Sequence, residues 1–486
     1  MHRFFTVPGA AFAAARSRTA RRRGVLLGVL AAASLVLSLG FAASAKAEYY
    51  YCSAGLMNTG TTDEQANGSN CSYWLLSSFP LAGTADPLQN GTSVPGLDVL
   101  PVWQRTQGAG VTVALLDTGV DPHQTDYAPN LLPGWNFYDG NADTTDGFAH
   151  GTLLASIIAA ATGNGSYIGI APQSKLLPVK IMGGAGGGQW SDTAPAQAVY
   201  YAISHGARVL NCSWGGLNSG LIPGMRKALA AAAKADVLVV IAAGNDGVNL
   251  DDTRRYVESP NTEAYGLPNT ITVANFSNRG QLSHDSNYGA QHVQIASLGD
   301  TLWGDYPDNV NGGYVGGSSA AAATVSGVAA LLFSAYPTAT AAQVRRAIMV
   351  GANKSVANLH GMNETNGLLS ASGALAAMAA PDTTSPTAFR TGGQASQFKL
   401  ANRHTISFRW SASSDAELEG YKVTVDGTVF ITTRGQTTLR RTLAKGHHTW
   451  SVTAYDLSGN ETVARRHGLV TSVISGAPKP AWHPGR

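Results

Sequence analysis

The sequence predicts an α/β domain, a mostly parallel β-sheet covered by helices on both faces, followed by a C-terminal all-β sandwich. Three observations predict it. Apolar β-rich runs alternate with helix-like runs between residues 96 and 378, the pattern of strands joined by crossover helices. An Ala-rich segment after the Gly-Gly-Ser-Ser turn near residue 317 is almost free of polar residues, so it belongs inside a core. Beyond Pro381–Pro386, short runs of alternating polarity are separated by turns, as in a sandwich.

The 486 residues suffice for two or three domains with real cores. Only 13% of them are charged, and the net charge of +3 misleads. Residues 1–47 hold seven basic residues and no acidic one; without them 26 Lys and Arg face 30 Asp and Glu. Such a chain lacks a polybasic footprint, so no nucleic acid partner is expected. Residues 1–47 read as an export signal. Arg16–Arg23 is the basic region, residues 24–41 are apolar, and Ala45-Lys46-Ala47 offers a cleavage site before Glu48. Secretion is therefore expected, by the Sec or the twin-Arg route. No later segment is read as a membrane span.

Residues 48–95 form an N-terminal extension. Cys52 and Cys71 are close in an exported stretch, and a disulfide between them is the expectation. Cys212 stands in an apolar run and reads as a small core residue.

The α/β domain is assigned to residues 96–378. Its predicted strands are Val111–Leu116, Lys175–Ile181, Ala207–Cys212, Val237–Ala242, Thr270–Ala274 and Val293–Ala296. Its predicted helices include Leu153–Ala161, Ala194–Ser204 and Pro223–Ala233, the buried segment ending before Pro337, and Ala341–Gly351. Three boundaries carry chemistry. The apolar strand V-T-V-A-L-L ends in Asp117, then T-G. A carboxylate there lies where parallel sheets place ligands. His150 opens H-G-T before an apolar helix, and V-G-G-S-S-A-A-A-A-T leads into the buried helix. A serine at a helix N-terminus faces free N–H groups and the positive end of the dipole. Alone it reads as a helix cap. With Asp and then His earlier in the chain, it completes one of the known orders of a catalytic triad.

These stretches resemble the subtilisin-like serine peptidases, whose D-T-G, H-G-T-H and G-T-S-M-A-A-P-H motifs appear here as D-T-G, H-G-T-L and G-S-S-A-A-A-A-T. The resemblance extends through G-I-A-P at Gly169–Pro172, L-N-C-S-W-G-G, V-V-I-A-A-G-N at Val239–Asn245 and S-N-Y-G at Ser286–Gly289. It implies Asp117, His150 and Ser319, not Ser318, as the triad, and Asn245 as the side-chain oxyanion donor, although Asn245 also suits a turn. It further implies peptide binding along Ser213-Trp214-Gly215 by strand addition. Trp214 replaces a smaller residue and either narrows the substrate pockets or packs in the core. The acidic stretch Asp139–Asp146 has oxygens of the kind calcium takes but reads more simply as a solvated loop. No metal ligand is assigned, and no cofactor is required.

Residues 379–387 read as a linker, 388–475 as the sandwich and 476–486 as a disordered tail. The sandwich motifs W-S-A-S-S-D, G-Y-K-V-T-V-D-G and H-T-W-S-V-T-A-Y-D-L-S-G-N resemble bacterial fibronectin type III-like modules, which bind a surface or polymer or act as spacers. His447-His448 reads as solvated at a turn. The expected protein is a monomeric secreted serine endopeptidase acting on proteins or peptides. Two alternatives stand beside it: an exported peptide-binding pseudoenzyme, and a transpeptidase in which Ala320 and Ala323, replacing Met and Pro, alter the turn after the nucleophile; Thr324 replaces the family's His.

Overall fold

The computed structural model describes residues 78–80, 93–162, 168–183, 193–215, 222–252, 264, 266–300, 302–308, 313–392 and 396–465. The expected signal segment, Cys52, Cys71, most of the extension and the C-terminal tail lie outside the described residues.

An antiparallel pair, β1 (Ser78–Pro80) and β2 (Ser93–Pro95), precedes the one-turn helix α1 (Leu100–Trp103). The central sheet has seven strands: β3 (Thr112–Asp117), β4 (Trp135–Asn136), β5 (Lys175–Lys180), β6 (Val209–Cys212), β7 (Leu238–Ala242), β8 (Thr270–Phe276) and β9 (Ile295–Leu298). They lie in the order β4-β5-β3-β6-β7-β8-β9, and every pair is parallel. Buried strands of this kind need apolar side chains on both faces. In β3 the alternation is explicit. Val113 and Leu115 enter the core shared with α2 (His150–Ala159), whereas Ala114 and Leu116 enter the core under α3 (Ala194–Ser204) and α4 (Met225–Lys234).

A hairpin, β10 (Leu302–Gly304) and β11 (Gly313–Val315), leads into α5 (Ser318–Ala335). This helix is long and apolar enough to cross a bilayer, contrary to the reading that no later segment is. It is instead the central core helix, packed on α2, β6, β7, β8 and β9. Helices α6 (Ala341–Val350) and α7 (Ala371–Ala379) close the same face. Thr340 and Gln343 cap α6 reciprocally.

The C-terminal region is two antiparallel sheets. One has the order β12-β14-β17, from β12 (Thr391–Gly392), β14 (His404–Trp410) and β17 (Thr438–Leu443). The other has the order β13-β18-β15-β16, from β13 (Gln397–Leu400), β15 (Leu418–Val425), β16 (Thr428–Thr433) and β18 (Gly446–Asp456), with β19 (Glu461–Val463) beside β18. Phe389, Phe408, Trp410, Tyr421 and Trp450 fill the space between them. Strands β12, β13 and β19 are only two to four residues long, too short for a sequence pattern to mark them. His448 is corrected as well. It is 8% exposed, with Nδ1 2.7 Å from Asp426 Oδ2 and Nε2 2.8 Å from the Ala444 carbonyl oxygen.

Candidate active site

The strand order reverses direction around β3, so the carboxyl ends of β3 and its neighbour β6 open a crevice at a switch point. Asp117 is the last residue of β3 and is fully buried. Its Oδ1 accepts from Thr118 N at 2.8 Å and lies 2.7 Å from His150 Nδ1. A carboxylate facing an imidazole nitrogen accepts, so Nδ1 carries the proton and Nε2 of the neutral ring keeps its lone pair. Asp117 Oδ2 has no hydrogen-bond partner among the described residues. Burial disfavours the imidazolium of His150. The charge and hydrogen bond of Asp117, assisted by Asp146, outweigh it and hold the pKa above the ordinary imidazole value.

His150 begins α2 itself, rather than preceding a helix that starts at Leu153. Asp146 explains the early start. Its Oδ1 accepts from Phe148 N (2.9 Å) and Ala149 N (3.0 Å), and its Oδ2 from Thr152 N (2.9 Å) and Thr152 Oγ1 (2.8 Å). Thr152 N is one of the orphan donors of the helix N-terminus, and the other bonds fix the turn that leads into it. Ala149 accordingly sits at φ 78°, outside the usual range for a residue with a side chain. Asp146 is buried, which corrects the reading of Asp139–Asp146 as wholly solvated. The glycine after His150 is obligatory. A Cβ at Gly151 would lie 2.0 Å from the Gly119 carbonyl oxygen.

Ser319 is the second residue of α5, whose N-cap is Gly317 at φ 94° with no side-chain cap. A Cβ at Gly317 would press on the Asn245 amide at 3.0 Å. Ser318 N donates to Asn245 Oδ1 at 2.8 Å, and Gly244 N donates to Ser318 Oγ at 3.0 Å. A backbone N–H only donates, so this bond fixes the amide orientation and leaves Nδ2 as a free-facing donor group. Ser319 and Ser213 are tied twice. Ser319 Oγ donates to the Ser213 carbonyl (3.1 Å), and Ser213 Oγ donates to the Ser319 carbonyl (2.9 Å). Asn211 supports the pair by donating to Ser213 Oγ and accepting from Ser326 Oγ of α5.

The structure thus brings Asp117 to His150, Ser213 to Ser319, and Asn245 to Ser318, the residue before Ser319. No hydrogen bond joins Ser319 to His150 among the described residues; the serine hydroxyl rests on Ser213 O. Trp214 is buried in the core under α3 and α4. Gly215 follows at φ 127°. Cys212 is buried beside Asp117, and burial raises its pKa, so it stays a thiol. The residues that follow Ser319 are ordered within α5. Ala320 and Ala323 are fully buried, and Thr324 Oγ1 is 2.6 Å from Ser297 Oγ and donates to Ala321 O at 2.7 Å. The sequence reading gave no site role to Thr118, Asp146, Asn211 or Ser318. Only Asp146 had a signal, an acidic residue just ahead of a helix.

Among the described residues one trio of carboxylates, Asp382, Asp415 and Asp456, has oxygens within 4.8 Å of one another. It spans the stretch after α7 and the C-terminal sheets, and each already accepts a backbone N–H.

A sequence model of the subtilase family matches residues 108–374. That span holds the aspartate, the histidine, both active-end serines and the asparagine just described. Thermitase of Thermoactinomyces vulgaris is 35% identical over 255 residues, covering 52% of this chain and 84% of thermitase. Subtilisin DY of Bacillus licheniformis is 31% identical over 244 residues, covering 50% and 83%. Among solved structures, a protease from Pseudoalteromonas arctica matches with a TM-score of 0.52 at 27% identity, covering 59% of this chain and 95% of that one.

Proposed function

The chain belongs to the subtilase family and is a subtilisin-like serine protease; on that premise we propose that Ser319 is its nucleophile, His150 its general base and Asp117 the carboxylate that orients the base. The observation that carries this assignment is the 2.7 Å contact between His150 Nδ1 and the buried Asp117 carboxylate at the carboxyl end of β3. In this reading Ser319 Oγ turns from the Ser213 carbonyl toward His150 Nε2 and attacks the scissile carbonyl as the imidazole takes its proton. The oxyanion that forms is received by the Ser319 N–H, at the positive end of α5, and by Asn245 Nδ2. His150 then gives its proton to the departing amine, and water repeats the sequence to release the acyl group. The Ser213-Trp214-Gly215 backbone would pair with an extended peptide, so Ser213 O exchanges the resting serine hydroxyl for a substrate N–H. The reaction as written uses no cofactor.

We further assign the catalytic domain to residues 96–378 and a fibronectin type III-like module to 388–475, the latter supported by two facing antiparallel sheets around one aromatic core. Residues 1–47 support export, through their basic, apolar and small-residue segments.

Hydrolysis of an unfolded protein substrate tests the assignment. The chain beginning at Glu48 is expected to cut it, and Ser319→Ala and His150→Ala are each expected to lower kcat by about 10⁶-fold. Retention of wild-type kcat in either variant would contradict the assignment.

A further inference from the structure

Charge is divided unevenly along the chain. Residues 48–387 carry 13 Lys and Arg against 24 Asp and Glu, whereas residues 388–475 carry 11 against 6. The six acids of the sandwich are all engaged. Glu417 and Glu419 pair with Arg346 and Arg345 of α6, Asp426 with His448, and Glu461 with Lys422. Asp415 and Asp456 accept backbone N–H groups. None of them lies in the sheet β12-β14-β17.

The inner face of that sheet supplies Ile406, Phe408, Trp410 and Leu439 to the core. Its outer face is set by register: Thr405 opposes Thr442, Ser407 opposes Arg440, and Arg409 opposes Thr438. The hydroxyls of Thr405 and Thr442 meet at 2.8 Å, as side chains sharing one face do. Gly392 opposes Arg409, so β12 places no side chain over it. Arg390, just before β12, lies across from Ser411, and its N–H donates to Ser411 Oγ. Arg390, Arg409 and Arg440 are exposed, and among the described residues none has a carboxylate within ion-pair distance.

We propose that this face binds a linear phosphate-bearing polymer without bases, such as a phosphodiester-linked polyol or sugar chain. Diagonal neighbours on a sheet stand about 7–8 Å apart. Three unpaired arginines rooted at that spacing repel one another until an anion lies across them. The guanidinium fork matches phosphate oxygens bidentately, and the Thr and Ser hydroxyls between the arginines suit the hydroxyls of a sugar or polyol. A single-stranded nucleic acid needs aromatic platforms for its bases. The exposed large apolar side chains of the described residues, Phe148, Tyr200, Tyr306, Val429 and Val463, all lie elsewhere. The acidic 48–387 region would be repelled by the same polymer, which leaves the sandwich as the contacting part.

Binding of the full chain from Glu48 to long-chain inorganic polyphosphate, measured between about 50 and 200 mM salt, tests this. Wild type is expected to bind at low salt. The triple variant Arg390→Gln, Arg409→Gln, Arg440→Gln is expected to bind roughly tenfold or more weakly, with the log–log salt slope reduced by about 2. A control triple on exposed lysines outside the sandwich, Lys227→Gln, Lys234→Gln, Lys354→Gln, is expected to match wild type. If the arginine triple unfolds early, Arg440→Gln alone carries the test, with the slope reduced by about 0.7. No binding by wild type, equal losses in the two triples, or tighter binding of single-stranded DNA than of polyphosphate would overturn the proposal. Protease activity does not enter these readings, so the triad assignment stands or falls separately.

Discussion

Asp117 does two things with one carboxylate, accepting from Thr118 N and holding His150 Nδ1 at 2.7 Å. Because the second contact raises the His150 pKa above the usual imidazole value, the base form appears only at higher pH. The acid limb of the kcat/KM profile is therefore expected above pH ~6.5. Asp117→Asn removes the carboxylate charge and the correct tautomer, so it should shift the limb downward and lower kcat by about 10⁴-fold. A pH profile of both proteins checks this; an unmoved limb would mean that Asp117 does not set the ionisation of His150. The three boundary residues were legible because each ends or begins an apolar run. His448 was not, because Asp426 is brought to it by the pairing of β15 with β18 rather than by any local motif.

At the scale of elements, the site depends on how two helices begin. Helix α5 starts on a glycine that leaves room for Asn245, and α2 starts on His150 because Asp146 satisfies four donors around it. Asp146→Ala leaves buried donors without partners, and losing a cap costs about 1–2 kcal/mol. Urea unfolding is expected to show a loss of at least that size, and kcat should fall with little change in KM as His150 loses its fixed position. Unchanged stability and kcat would show that the Ala149–Thr152 backbone holds its own geometry. Strands β3 and β5 to β9 were readable from their apolar runs within two or three residues at each end. The start of α2 was misplaced toward Leu153 because the fixing interaction is a side chain four residues upstream, which apolar periodicity does not report.

For the molecule as a whole, the two-part architecture could be read from the change in periodicity after Pro386, but the docking of the sandwich could not. Docking rests on Arg345 and Arg346, adjacent on α6 and both buried, which pair with Glu419 and Glu417 at the start of β15. Arg346 also donates to the carbonyls of Ala377 and Ala380 at the end of α7. Partners 71 residues apart in the chain leave no local trace in a sequence. Arg346→Met strands Glu417 without its counter-charge, and breaking a buried pair costs about 3–5 kcal/mol. Limited proteolysis is expected to cut between residues 379 and 387 faster in that variant; equal rates would mean that the other contacts hold the sandwich in place. The central claim, that Ser319 is a nucleophile activated by His150, is tested most directly by intact-mass analysis after treating the chain from Glu48 with a fluorophosphonate. One adduct, mapped to Ser319 and absent in Ser319→Ala and His150→Ala, is the expected result. A folded protein that gains no adduct, or an adduct that persists in either variant, would contradict the claim.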